Sequence, residues 1–280
     1  MSGERVGGRV TQLWRYPVKS MLGERLITAT VGPSGVQGDR RLALLHRETG
    51  RVVSAKDPRR WRDLLTFQAA GAAPGPVRIT LPDGRTVSAQ DEQVDDLLSS
   101  MLGAPVTLTS TPPERATLDR AVPEAVLDAG VTAVVPVDQS PLGGAAPGTF
   151  FDFAPVHLIT TATLDRLGVE LPDGTPEAER YRPNLVVATS DTGFVENGWV
   201  GRRLRIGGEL VLRVLAPTPR CAVPTLAHGR LPQRPDALRA PARLNRIEPL
   251  PGLGRLPCVG AYAQVVTPGR VAVGAAVELD

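Results

Sequence analysis

The chain is poor in the residues that build the commonest metal and redox centres. Two of its 280 residues are cysteine, Cys221 and Cys258, and three are histidine, His46, His157 and His228. An iron–sulfur cluster uses about four thiolates, so none is expected. No HExxH or CxxC spacing occurs and the histidines lie far apart, which argues against a zinc site. There is no Walker A loop. Gly143-Gly144 is not set between a strand and a helix, and Gly32-Pro33-Ser34-Gly35-Val36 fails the last position of a nucleophile elbow.

Aromatic residues make up only 4% of the chain, and its 32 basic residues are interleaved with 29 acidic ones for a net charge of +3. Nucleic-acid proteins combine a basic face with stacking aromatics, so nucleic acid is not an expected partner. No apolar run approaches the ~20 residues a membrane helix needs. The N-terminal MSGERVGGRV has no apolar signal core. A cytoplasmic protein that does not engage membranes is expected, with two reduced thiols rather than a disulfide. Lysine is almost absent: Lys19 and Lys56 stand alone among arginines. In a composition drifted toward arginine a surviving lysine is informative, because a compact ammonium and a planar guanidinium are not interchangeable in a specific site.

What is present reads as short strands punctuated by Gly and Pro. Strands are expected at Val6–Tyr16, Arg25–Val31, Arg41–His46, Arg51–Ser54, Val77–Leu81 and Arg85–Ser88. Glu48-Thr49-Gly50 and Pro82-Asp83-Gly84 serve as hairpin turns. Apolar residues at 94, 97, 98, 101 and 102 predict a short amphipathic helix over Gln93–Leu102. The polar, Pro-rich Thr109–Arg115 marks a boundary, giving domains 1–115 and 116–280. Gln139–Thr149 reads as a surface loop. Further strands are expected at Pro155–Thr160, Asn184–Thr189, Arg203–Ile206, Glu209–Leu215, Cys258–Val266 and Val271–Leu279. Helices are expected at Thr163–Leu167, capped by Thr161 or Thr163, and at Ala237–Ile247, where Pro241 sits near a second start. The fold class is mainly β with a few short helices, in two barrel-like domains.

The most unusual local chemistry is Ala216-Pro217-Thr218-Pro219-Arg220-Cys221-Ala222-Val223-Pro224-Thr225. Its prolines forbid a regular helix or central strand and stiffen the loop. Arg220 places a cation beside the thiol, which favours the thiolate, the form that attacks electrophiles and ligates soft metals. The competing reading is a buried structural cysteine, and for Cys258, at the head of an apolar strand, burial is favoured.

Five segments in order resemble those of the MOSC family. They are Tyr16-Pro17-Val18-Lys19-Ser20, Gly38-Asp39-Arg40-Arg41, Tyr181-Arg182-Pro183-Asn184, Asn197-Gly198-Trp199-Val200-Gly201-Arg202, and Pro217-Thr218-Pro219-Arg220-Cys221 followed by Thr225. The resemblance implies two β-rich, barrel-like domains with a molybdenum–molybdopterin cofactor held between them. It makes Cys221 the metal ligand and catalytic residue. It assigns Lys19, Ser20 and Arg40 to the cofactor phosphate and Arg182 and Asn184 to the pterin. It brings Thr160, Thr161 and Thr163 near the pterin, and Thr218 and Arg220 to the cofactor from the cysteine loop. A phosphate wants charged donors plus hydroxyl and backbone groups, which these residue types supply. Pro183 is expected to hold Arg182 extended. Many relatives follow the cysteine loop with Thr-Val-Asp-Pro; here Thr225-Leu226-Ala227-His228-Gly229 stands instead, and His228 reads as a surface residue.

Two functions stay open. One is an oxidoreductase acting on N-hydroxylated or related small substrates, fed by an external donor such as a ferredoxin or reductase. The other is a non-catalytic carrier of the cofactor or of sulfur.

Overall fold

The computed structural model describes residues 7–72, 74–174 and 176–280, so the expected start of the first strand at Val6 lies outside the described residues. Seven strands close a barrel: β1 (Gly7–Arg15), β2 (Val156–Thr160), β3 (Leu185–Thr189), β4 (Arg203–Ile206), β5 (Leu210–Pro219), β6 (Leu256–Thr267) and β7 (Ala276–Leu279). They run in the order β2-β3-β1-β7-β4-β5-β6, and β6 pairs back onto β2. Closure leaves no open sheet edge. The β2–β3 pair is parallel, and the helix Thr161–Gly168 lies in the crossover between them, as a parallel pair requires.

Alternation fills the barrel. Leu204 and Ile206 on β4, and Leu210, Leu212 and Val214 on β5, are buried at every second position with Val10, Leu13, Leu158, Leu185, Val187 and Ala263. β1 comes from the first 115 residues yet sits between β3 and β7, with Val10 opposite Val187 and Gly8 opposite Val277. Residues 18–106 build a second core, in which Val18, Met21, Leu44, Trp61, Leu64, Phe67, Ile79, Leu98 and Val106 pack together. The expected hairpin 77–88 forms as Arg78–Thr80 against Thr86–Ser88, and the amphipathic helix as Val94–Leu102.

Four expectations need correction. The prolines after Leu215 do not end β5, which continues to Pro219. There β4 no longer pairs with β5, whose last β4 partner is Arg213, so β6 alone flanks the proline segment. Register shifts absorb the missing donors, as edge and bulge positions allow. Gln139–Thr149 is not wholly loop, because Val137–Pro141 pairs with Thr117–Ala121. The span Val271–Leu279 divides into Gly269–Ala272, which pairs with Thr28–Gly32, and β7. Finally, Asp236–Leu244 is one helix running through Pro241. Proline has no N–H for the carbonyl four residues back. That carbonyl belongs to Ala237, and the Tyr181 hydroxyl donates to it at 2.9 Å.

Where β6 pairs back onto β2, the chain passes Gly260, whose φ is +78°. A Cβ there would run into the Leu158 carbonyl and lie 2.6 Å from His157 Nε2. Left-handed strain and overpacking together should cost Gly260→Ala about 2–4 kcal/mol. A thermal melt should show a midpoint lower by roughly 5–12 °C. An unchanged midpoint would mean that β2 and β6 can separate there without penalty.

Candidate functional site

The strand ends and loops on one side of the barrel meet residues 19–56 in a cleft. Lys19 and Ser20 follow β1, and Arg40 ends the turn after Gly38. Ser54 and Lys56 come from the segment before the helix Pro58–Trp61. Asp152 and His157 flank the start of β2, Arg182 and Asn184 precede β3, and Thr218, Arg220 and Cys221 lie at and beyond the end of β5. Eight residues singled out in the sequence thus share one cleft: Lys19, Ser20, Arg40, Arg182, Asn184, Thr218, Arg220 and Cys221.

The backbone is strained at this cleft. Among the described residues, the non-glycine residues with positive φ are Ser20 (66°), Arg40 (46°) and Arg182 (55°), and all three line it. Such conformations cost about 1–3 kcal/mol each and persist where the surroundings over-determine them. Arg182 is therefore left-handed, not extended as Pro183 suggested. In that conformation its carbonyl accepts a hydrogen bond from Arg40 Nη2 at 3.0 Å and faces His157 Nδ1 at 3.3 Å. Arg40 is held further by Asp39 Oδ2 at 2.6 Å, while Asp39 Oδ1 accepts from the Tyr16 amide. The guanidinium carbons of Arg40 and Arg182 lie 4.4 and 4.3 Å from the centre of the Tyr16 ring.

Both lysines of the chain are in the cleft, each 6% exposed. One oxygen of Asp152 accepts from Lys19 Nζ at 2.7 Å and Lys56 Nζ at 2.8 Å, and Lys19 also donates to the Phe150 carbonyl. Burial would raise the Asp152 carboxyl, but the two ammonium groups hold it well below the usual carboxylate range. Burial lowers both lysines, Lys56 to about 8 with help from Arg120. Burial and then Arg220 keep His157 well below the ordinary imidazole range, so it is neutral. In sum, five cationic side chains, Lys19, Lys56, Arg40, Arg182 and Arg220, face one lining carboxylate, Asp152. The lining of the cleft therefore carries an excess of positive charge.

Three buried polar atoms of lining residues have no protein partner: Arg182 Nη2, Thr218 Oγ1 and Arg220 Nε. Buried polar groups are normally satisfied, so these three atoms stand out in the cleft. Arg220 is otherwise anchored, donating to the Tyr181 carbonyl at 2.7 Å. Asn184 spends its amide on the frame, accepting from the His157 amide and donating to the Trp14 carbonyl. Cys221 is buried against Ala55, Leu65, Val223 and Leu226. Both cysteines are free, and burial pushes the Cys258 thiol up to about 12.

Three sequence-derived positions are elsewhere. Thr160 is the N-cap of the helix Thr161–Gly168, accepting from the Thr163 amide, so the cap is neither Thr161 nor Thr163. The Thr160 and Thr163 hydroxyls both donate to Glu196 Oε2 at 2.7 Å. Thr160, Thr161 and Thr163 do not line the cleft. His228 is not on the surface: it is 3% exposed and borders a different groove. Sequence reasoning missed Ser54, Asp152, His157 and Tyr262. Lys56, which the scarcity of lysine had marked, also lines the cleft.

Residues 7–105 match the MOSC N-terminal beta barrel domain and residues 146–278 match the MOSC domain. The chain belongs to the MOSC family. MOSC proteins are associated with molybdenum cofactor binding, and the cleft lies where the two matched regions meet. Among solved structures, the YUAD protein from Bacillus subtilis aligns over 99% of this chain and 97% of its own, at 12% identity and a TM-score of 0.47. YiiM from Geobacillus stearothermophilus aligns over 61% of this chain and 75% of its own, at 12% identity and a TM-score of 0.33. No curated protein matches the sequence.

The shared carboxylate has a testable consequence for this MOSC cleft. Asp152 competes with any incoming anion for Lys19 and Lys56. Asp152→Asn should lower stability by about 3 kcal/mol, the low end for a broken buried pair, because Asp152 is one-third exposed. Added sulfate should then raise the melting temperature of the variant more than that of the wild type. Equal sulfate responses would show that Asp152 does not guard the lysines.

Proposed function

We propose that the cleft binds a molybdenum–pterin cofactor and that Cys221 supplies the protein sulfur to the metal. The carrying observation is the convergence of five cationic side chains and three unpartnered buried polar atoms around one buried thiol. That donor set suits an anionic, heteroatom-rich group. Lys19, Ser20 and Arg40 would hold its phosphate, as charge-assisted donors beside a hydroxyl. Arg182, Thr218 and Arg220 bring donors not yet satisfied, and Asn184 fixes the frame on which they sit. A thiolate is the soft ligand that such a metal selects.

When bound, the cofactor supplies two-electron chemistry at oxygen, and the protein supplies binding, orientation and electrostatics. On this reading the chain is an oxidoreductase for N-hydroxylated or related small substrates. Its Lys19 and Lys56 remain tethered by Asp152 until an anion replaces that carboxylate. His157, neutral and wedged between the Arg182 carbonyl and Arg220, holds the floor of the cleft in place.

Cys221→Ser should lose molybdenum while keeping the fold, because a hydroxyl replaces a thiolate poorly. Metal analysis and circular dichroism of the same preparation check this, with Cys258→Ser as the control that retains metal. A folded Cys221→Ser protein with full metal content would falsify the assignment.

On this reading the electrons come from an external donor. The sequence has no dinucleotide fingerprint, and one of its two cysteines is assigned to the metal. Cofactor-loaded protein should therefore show no sustained turnover with NADH or NADPH alone, and should turn over a hydroxylamine-type substrate once a dye or ferredoxin system is added. Turnover on nicotinamide alone would contradict the need for a donor. Cofactor binding without turnover under any donor would identify a carrier instead.

A further inference from the structure

Arg120 stands beside the cleft and takes no part in holding the frame. It lies on the strand Thr117–Ala121, and alternation along that strand fixes the side to which it points. Leu118, two residues earlier on the same face, packs in one cluster with Phe150, next to the cleft residues Phe151 and Asp152. Ala121 anchors the following position. Its amide donates to the Lys56 carbonyl at 2.9 Å, and its methyl packs in one cluster with Ala222, the residue after Cys221. Arg120 is thus set between the segment 150–152 and the Lys56 and Cys221 end of the cleft. Its positive charge acts on both Lys56 and Tyr262, which line that cleft.

This arginine is unpaired. Asp119, its neighbour in sequence, points to the opposite face and is tied to Arg51 at 2.7 Å. Asp138 stands directly across the strand pair but forms no ion pair with Arg120. Asp152, the lining carboxylate, is occupied by Lys19 and Lys56. Among the described residues the Arg120 side chain has no hydrogen-bond or ion-pair partner; Nε is buried, and the two Nη atoms remain accessible. A partly buried guanidinium without a partner is costly. Its paired Nη donors match the two oxygens of a carboxylate. The residues assigned above to phosphate and pterin, Lys19, Ser20, Arg40, Arg182 and Asn184, leave this flank free.

We propose that Arg120 is a specificity-determining residue, which selects small substrates that carry a carboxylate and holds that group with its two Nη donors. The proposal rests on the reading of the cleft as the substrate site. The carboxylate lies on the Lys56 and Arg120 flank, and the N-hydroxylated group of the same molecule faces Cys221.

The test is calorimetric titration of the whole chain, without any reductant, with benzamidoxime and with 4-carboxybenzamidoxime. The carboxylate probe should bind about tenfold more tightly, as a charge-assisted contact allows. Arg120→Gln should bring the two affinities within about twofold. Arg120→Lys, which keeps the charge but loses the fork, should leave a reduced preference and guards against a glutamine variant that fails to fold. Arg78→Gln, at an exposed hairpin position, should change nothing. No turnover is involved, so the result stands whether or not the cleft reduces its ligand, and metal analysis of the same sample reports separately on the cofactor. No binding of the carboxylate probe, equal affinities for the two probes in the wild type, or a full preference in Arg120→Gln or Arg120→Lys would each overturn the proposal.

Discussion

Everything about the cleft depends on one long-range pairing, the insertion of β1 between β3 and β7. The pairing registers Gly8 with Thr189 on one side and with Val277 on the other. It anchors the chain just before Tyr16, Lys19 and Ser20. The Arg40 amide then bonds the Tyr16 carbonyl, and the Lys19 amide the Leu42 carbonyl, so the turn at 38–40 follows β1 into place. That strand, together with the packing of Ala55 and Leu65 against Cys221, fixes residues 19–56 relative to the thiol. A closed barrel is a stiff frame, which is what a site assembled from distant segments requires.

The second constraint is charge. Burying Lys19, Lys56, Arg40, Arg182 and Arg220 around one cleft is expensive unless each charge is paired or awaits a partner. The protein uses three devices. Asp152 and Asp39 neutralise part of the charge. The Tyr16 and Tyr181 rings accept cations on their faces. Backbone carbonyls of Phe150, Tyr181 and Arg182 absorb further donors. What is left over is Arg182, whose guanidinium has a ring contact but a bare Nη2. The left-handed residues Ser20, Arg40 and Arg182 lie at the same cleft, where the surroundings hold them in strained conformations.

A separate buried polar network stiffens the frame away from the cleft. Glu196 is fully buried, and burial raises its carboxyl while the Thr163 and Thr160 hydroxyls pull it back. This ties the N-cap of the crossover helix to the turn 195–199. The hydroxyls of Thr160 and Thr163 are thereby committed to Glu196.

Much was legible in the sequence. Alternating residues and Gly or Pro turns marked the β class and several hairpins, and the segments around Lys19, Arg40, Arg182 and Cys221 marked the family and eight cleft residues. These are local signals, since turn chemistry and strand periodicity act over a few neighbours. The continuation of β5 through its prolines was not legible, because it depends on β4 having already left that edge. Nor was the pairing of Lys19 and Lys56 on Asp152, or the left-handed turn at Arg182. Those involve residues 37 to 142 positions apart, whose meeting is decided by barrel closure rather than by any local pattern. The residue types of the site were therefore written in the sequence, while their partners and protonation were set only when barrel closure brought distant segments together.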